Sequence, residues 1–288
     1  MSNPNSSYPL VPIETPKNTT SSQTKRHRRH FSLRHLWQSL IRPAQWPNTG
    51  LQLPPHQVHR GLHRNGIQEN TLEAFRAAKA SGALMCETDV RLSRDHIPVL
   101  VHDADLRRVS GHEHQVKDLS AQELKTLAHV PTLVEALTDP KCPRFFNIEL
   151  KSKSINDPLA ASVAQVIEEL RAQSRVIFSS FNPIILWKMQ HLLPTVPRAL
   201  LVTHAHDPSN GWLLREMIFA PFIKLHMLNL DQELLTDEAL HFWLKQEMPI
   251  SAWTVNQEDK ASKLLQNGVR SIISDLPPPT NRDAVPGK

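Results

Sequence analysis

Four short stretches of this chain carry residue types that could do chemistry together: His59-Arg60-Gly61, Glu87-Thr88-Asp89, His102-Asp103 and Glu149-Leu150-Lys151. Along an extended strand, residues i and i+2 point to the same side. Glu87 therefore shares a face with Asp89, and Glu149 with Lys151, while Thr88 and Leu150 face the opposite way. Three carboxylates brought to one point repel each other unless protons or a cation intervene. A hard divalent ion, Mg2+ or Ca2+, suits carboxylate oxygens. Zinc is less favoured because no thiolate is in place, although His59 and His102 keep it open. Arg60 and Lys151 would add positive charge beside that ion. The combination suits a phosphate ester, whose oxygens bind cations and gain charge in the transition state. Two histidines, one on each side of phosphorus, could then serve as base and acid. Taken singly, each stretch has a structural reading: a hydrogen-bonded histidine, a surface Glu-x-Asp, a Glu–Lys ion pair. Their joint occurrence inside otherwise apolar runs carries the case.

The elements that must position these groups are legible from residue 57 onward. Apolar runs of strand length are expected at 57–61, 84–91, 145–150, 175–180, 198–203, 223–229, 250–255 and 270–274. Helical stretches alternate with them, among them Thr71–Ser81, Pro158–Gln173, Pro183–Leu193, Thr236–Lys245 and Gln257–Asn267. Pro98–His102 reads as an extra extended segment, and Ser120–Leu127 as a short helix capped by Ser120 with Glu123 three residues on. This alternation predicts an α/β fold, a closed (β/α)8 barrel of the TIM type over residues 56–280, with its site at the carboxyl ends of the strands. An open dinucleotide-binding sheet would need a Gly-rich turn after its first strand. The chain has eight glycines, and none stands in a GxGxxG arrangement. Leu106, Phe181, Trp187, Trp212 and Trp253 are candidates for the walls of the mouth, with Trp187 and Trp212 read more readily as helix packing.

Composition sets the outer bounds. The chain has 288 residues, of which 40% are apolar and 6% aromatic, enough for one large core built mainly from aliphatic side chains. No apolar run approaches the twenty or so residues of a membrane-spanning helix. The net charge is +5, but residues 1–56 hold seven Lys or Arg against the single acid Glu14, so the remainder is slightly acidic. The basic character belongs to the extension, and the body gives no sign of binding nucleic acid. Residues 1–55 are expected to be a disordered basic extension, followed after the barrel by a flexible tail at 281–288. Within the extension, a basic run at 25–30 precedes Phe31–Ile41, whose apolar residues fall largely on one helical face. Residues 25–41 therefore suit peripheral contact with an anionic membrane. The plainer alternative is a solvated tail, or a helix packed on the barrel. Cys86 and Cys142 are too few for a disulfide framework and fit a reducing, cytoplasmic compartment, with membrane association through the extension.

The order of motifs resembles a known family. His59-Arg60-Gly61, Glu69-Asn70-Thr71-Leu72-Glu73-Ala74-Phe75, Glu87-Thr88-Asp89-Val90 and Pro98 through Asp103 are similar to the opening half of the glycerophosphodiester phosphodiesterases. Pro131-Thr132-Leu133, Asn147 through Lys151, Ser179-Ser180-Phe181, Ala252 through Asn256 and Ile272 through Pro277 continue the resemblance in order. It implies an α/β barrel that hydrolyses glycerophosphodiesters, such as glycerophosphocholine, to an alcohol and sn-glycerol 3-phosphate. Lysophospholipids are a related substrate class. It further implies His59 and His102 as the acid–base pair and Glu87, Asp89 and Glu149 as ligands of a divalent metal. Arg60 and Lys151 would contact phosphate, Glu69 would help orient the site, and Phe181 and Trp253 would line it. The chain departs from the family pattern at Gln68, at Asp95-His96 and beside Glu87, where Cys86 and Thr88 stand; none of these removes a reactive group. Two other readings remain: a zinc-dependent barrel hydrolase using His59 and His63, and a membrane-recruited barrel without turnover.

Overall fold

The computed structural model of the chain describes residues 35–152, 156–205 and 212–279, except for the side chains of Trp212 and Leu213. Among these residues nine strands alternate with helices: β1 His56–Val58, β2 Met85–Leu92, β3 Pro98–Leu100, β4 Phe145–Leu150, β5 Val176–Ser180, β6 Arg198–Val202, β7 Met227–Asp231, β8 Ile250–Trp253 and β9 Ser271–Ser274. Eight of them are parallel neighbours in the order β1-β2-β4-β5-β6-β7-β8-β9, and β1 pairs with β9 to close the barrel. The expected (β/α)8 architecture is therefore present. The extra extended segment is β3, which folds back antiparallel on the end of β2 with Val90 opposite Leu100.

Local signals start the helices where the sequence places them. Thr71 caps Leu72–Ala80 by accepting from the Ala74 N–H, and Ser120 forms a reciprocal capping box with Glu123 ahead of Ala121–Ala128. Asn182 caps Pro183–Leu192, which begins on a proline whose missing N–H costs nothing there. The first and third of these helices pack on the outward side chains of the strands, among them Val90, Phe146, Ile148, Phe178 and Leu200, to form the main core, while Leu124 and Ala128 of the second join Val99, Val101 and Leu106 in a satellite core. Strand boundaries differ by more than two residues in two places. The first strand stops at Val58 because Arg60 and Gly61 take positive φ, 54° and 76°, which turns the chain out of the sheet. The seventh starts at Met227, four residues later than expected, because Ala220–Phe222 forms a 3-10 turn that feeds Ile223 and Leu225 into the core.

The expectation of disorder through residue 55 needs correction for residues 38–55. Leu51 packs with Met85, Ile177, Ala199 and Met227 beneath the barrel, and Trp46, Leu53 and Phe145 join them. Ala44 donates to the Leu225 carbonyl at 2.6 Å, and the Pro54 carbonyl accepts from Ser271 at 2.7 Å. A prolyl-rich stretch that also carries Ile41, Trp46, Leu51 and Leu53 has enough apolar surface to offset its ordering on a matching barrel end. The compact unit accordingly begins at Gln38. Of the amphipathic segment, residues 35–38 make a helical turn; residues 31–34, the basic run and the 281–288 tail lie outside the described residues. Among the described residues no helix is long and apolar enough to cross a membrane.

Candidate active site

The strand tips deliver the expected groups to one mouth. Parallel pairing in register sets Glu87 beside Asn147 and Asp89 beside Glu149, so the inward faces of β2 and β4 present three carboxylates together. One oxygen from each of Glu87, Asp89 and Glu149 lies within 4.8 Å of the others, and all three residues are buried. Two cations flank them. Lys151 Nζ stands 3.0 Å from Asp89 Oδ1 and 2.6 Å from Glu149 Oε1, while Arg60 Nε stands 3.1 Å from Asp89 Oδ2.

This packing has an electrostatic consequence. Burial above all, reinforced by Asp89 and Glu149, pushes Glu87 well above the usual carboxylate range. Burial raises Glu149 as well. It would also raise Asp89, but Lys151 and Arg60 overcome it and hold Asp89 low. Glu87 therefore favours its neutral form more than an ordinary carboxylate does while no metal ion stands among the three. The donors are oxygen only, and Asp89 Oδ1, despite the nearby ammonium, lacks a hydrogen bond of good geometry. Such a set fits Mg2+ or Ca2+. Among the described residues it is the sole three-donor cluster, and it includes neither His59 nor His63.

Each histidine has a carboxylate behind it. His59 Nδ1 lies 2.7 Å from Asp275 Oδ1, and its Nε2 lies 3.8 Å from Glu87 Oε2. His102 Nδ1 lies 2.7 Å from Asp103 Oδ1. A carboxylate at Nδ1 fixes the proton on that nitrogen and leaves Nε2 for reactive work. Asp275 is itself clamped by Asn256, whose Nδ2 donates to Oδ2 at 2.5 Å and whose Oδ1 accepts from the Asp275 N–H at 2.9 Å. Although burial opposes it, hydrogen bonding to His59 lowers the Asp275 pKa to about 2. Burial lowers the pKa of His102.

His59, Arg60, Glu87, His102, Glu149, Lys151, Phe181 and Trp253 all line a cavity of about 930 Å³. Phe181 and Trp253 meet edge to face, with ring centroids 5.5 Å apart. Asp89 lies beneath, held by Asn70 Nδ2 at 2.9 Å as well as by the two cations. Glu69 is not part of the wall: it sits behind Arg60, bonded to Arg60 Nη1 at 3.0 Å and to Arg108. Leu106 is buried in a satellite core, Trp187 is half exposed on its helix, and the Trp212 side chain lies outside the described structure.

Four contributors were not singled out from sequence for a role at the site. Asp275 could have been found from barrel closure, since β9 neighbours β1 and its tip must meet His59. Asn70 stands within the quoted Glu69-Asn70-Thr71 motif, and its positive φ of 55° aims its amide back at Thr88 and Asp89. Arg91 continues the inward face of Glu87 and Asp89, a reading the same i+2 rule supports. Arg108 had no sequence signal beyond its sign.

A closed parallel barrel with carboxylates and imidazoles gathered at the carboxyl ends of its strands defines a TIM-barrel enzyme. Residues 59–278 match the model of the glycerophosphoryl diester phosphodiesterase family. The chain belongs to that family and is a phosphoric diester hydrolase. A glycerophosphodiester phosphodiesterase of Bacillus altitudinis is 30% identical over 236 residues, covering 76% of this chain and 94% of its own. One from Caldanaerobacter subterraneus is 29% identical, with 76% and 93% covered. Among solved structures, an Oleispira antarctica phosphodiesterase in complex with the product sn-glycerol-3-phosphate superposes with a TM-score of 0.65 at 26% identity, over 78% of this chain and 94% of that one.

Proposed function

We propose that this barrel hydrolyses glycerophosphodiesters with the help of a divalent cation, releasing an alcohol and sn-glycerol 3-phosphate. The observation that carries this reading is the convergence of Glu87, Asp89 and Glu149 with two carboxylate-backed histidines on the wall of one cavity. The product bound by the Oleispira antarctica phosphodiesterase supports the choice of diester.

Glu87, Asp89 and Glu149 would hold Mg2+ or Ca2+, which supplies positive charge to a phosphoryl oxygen when bound. The chain's own residues do the rest. Arg60 and Lys151 face the cavity and balance the charge of the phosphate. His59 and His102 divide the proton transfers: one Nε2 takes the proton of the attacking hydroxyl while the other delivers a proton to the departing alcohol oxygen. Phe181 and Trp253 wall off water and pack on the carbon skeleton. Lysophospholipids are a second substrate class, favoured by the apolar cavity residues Leu201, Leu214 and Ile273. Contact of residues 25–41 with an anionic membrane would bring such substrates to a protein that is otherwise cytoplasmic.

The test is release of sn-glycerol 3-phosphate from glycerophosphocholine, measured in a coupled assay. EDTA should abolish it, and Mg2+ or Ca2+ should restore it. His59→Ala and Glu149→Ala should lose nearly all turnover. Turnover by His59→Ala at the wild-type rate would sink the acid–base assignment, and turnover unaffected by exhaustive chelation would sink the metal.

A further inference from the structure

Among the described residues three cationic side chains, Arg60, Arg91 and Lys151, line the cavity, and they are not equivalent. Arg60 is tied to Glu69 and Asp89, and Lys151 to Asp89 and Glu149. Arg91 has no acidic partner within ion-pair distance among the described residues. Its Nε donates to the His102 carbonyl at 2.8 Å, which fixes the plane of the guanidinium and leaves the two terminal nitrogens as donors. The side chain is partly buried.

Position then indicates what these donors meet. Arg91 follows Asp89 by two residues on β2 and so shares its inward face. At the rise of a strand its backbone stands about 6.5 Å beyond that of Asp89, level with Lys151 on β4, whose ammonium turns back to Asp89 and Glu149 while the Arg91 guanidinium turns to the His102 carbonyl. A phosphate anchored at that cluster by Arg60 and Lys151 leaves Arg91 level with the substituents beyond it, on the His102 side of the cavity. A planar guanidinium with free terminal donors recognises a carboxylate or a phosphate bidentately and repels a quaternary ammonium.

We propose that Arg91 is a specificity-determining residue whose guanidinium binds an anionic group on the alcohol portion of the substrate, a carboxylate or a second phosphate. Diesters with such a headgroup are then preferred to those with a cationic one. The inference rests on the glycerophosphodiesterase reading of the same site.

The experiment compares kcat/KM for glycerophosphoserine, glycerophosphoglycerol and glycerophosphocholine, using wild type and Arg91→Gln with saturating metal. Wild type should turn over the serine diester better than the choline diester. In Arg91→Gln the ratio of serine-diester to glycerol-diester kcat/KM should fall about tenfold or more, mainly through KM, as expected when a charge-assisted hydrogen bond is lost. Arg91→Lys should recover part of that ratio. Added NaCl should raise the wild-type KM for the serine diester more than for the glycerol diester, a readout that needs no variant to fold. An equal loss on all three substrates would show that Arg91 acts on the common phosphate or props His102, and would overturn the proposal. A wild-type preference for the choline diester would overturn it too. If wild type hydrolysed none of the three, the phosphodiesterase reading itself would fail first.

Discussion

Arg108 grips both carboxylate oxygens of Glu69, at 3.0 and 2.6 Å, while its Nε reaches Asp103 at 2.6 Å. Asp103 in turn holds His102, and Glu69 holds Arg60, so one alternating chain of charge links an imidazole on one side of the cavity to a cation on the other. Arg108 is half exposed, and ion pairs at the surface add little to stability. Arg108→Ala should therefore leave the melting temperature nearly unchanged. It should lower kcat by about tenfold to a hundredfold, because two reactive groups lose their alignment together. Arg108→Lys should recover only part, since a single ammonium cannot span Glu69 and Asp103 as a fork does. Steady-state kinetics beside a thermal melt decide it, and an unchanged kcat in Arg108→Ala would remove the chain of charge from the mechanism.

The contrast between Glu87 and Arg108 shows where sequence reading succeeds. Glu87, Asp89 and Glu149 lie inside strands, where a period of two fixes the direction of every side chain and parallel neighbours share a register. The eight barrel strands and their flanking helices follow the same logic, since apolar periodicity and caps are local. Arg108 and Asn70 reach the site from loops, through a helical turn of four residues in one case and a left-handed residue in the other. No local period points a loop side chain at a partner 39 residues away. The bottom of the barrel was obscured for a different reason: prolines in residues 43–55 read as a linker, while Ile41, Trp46 and Leu51 are too scattered to make a pattern, and Ile41 and Leu51 are buried, with Trp46 partly so, only because the barrel exists to receive them.

Asp275 offers a second prediction, in which activity and acid stability move together. Its pKa of about 2 lies below the unfolded carboxylate value, so its pairing with His59 stabilises the fold fully above about pH 4. That contribution is lost as pH falls from about 4 through 2. In Asp275→Asn this part of the acid dependence should vanish, so the stability lost by the variant relative to wild type shrinks as acid is added. Turnover should fall by about a hundredfold to ten-thousandfold, because an amide in this place no longer favours the tautomer that frees Nε2. Denaturant melts at pH 6 and pH 3, with kcat at pH 7, test both halves. A variant with wild-type kcat would show that Asp275 does not set the His59 proton.

If the carboxylate cluster holds a divalent ion as proposed, its binding is linked to pH. Glu87 has its pKa raised in the cation-free fold, so its neutral form stabilises the protein at low pH, and that contribution is lost as pH rises through the raised value. A divalent ion must displace this proton, and its affinity should strengthen as pH rises through the same range. The increase in melting temperature on adding Ca2+ or Mg2+ should accordingly be larger at pH 8 than at pH 5.5, with a gain of about 2.7 kcal/mol at a hundred times the dissociation constant. Glu87→Gln, neutral at every pH, should lose the metal-induced shift and melt no lower than wild type in EDTA at pH 8. Scanning calorimetry with and without chelator reads both, and a metal shift independent of pH would contradict the buried proton.

Gly61 supplies the remaining prediction, because it sets the turn that carries His59 and Arg60 out of β1. Its φ is +76°, and a Cβ added there would stand 2.8 Å from both the backbone carbon and the Cβ of Ala74, at the start of the helix Leu72–Ala80. Neither neighbour is the movable end of a long side chain, so either the helix or the turn must give way. The Leu62 N–H also bonds the Ala74 carbonyl at 2.9 Å, which ties the turn to the helix and limits how far it can shift. Gly61→Ala should cost about 1–3 kcal/mol, combining left-handed strain with overpacking. The displacement would fall on Arg60 and His59, immediately before the turn, so kcat should decline beyond what the lost stability explains, even at a temperature where the variant is fully folded. Chemical denaturation together with kinetics at 15 °C separates the two effects. A variant as stable and as active as wild type would mean that the approach of the turn to Ala74 is not what holds the mouth of the barrel.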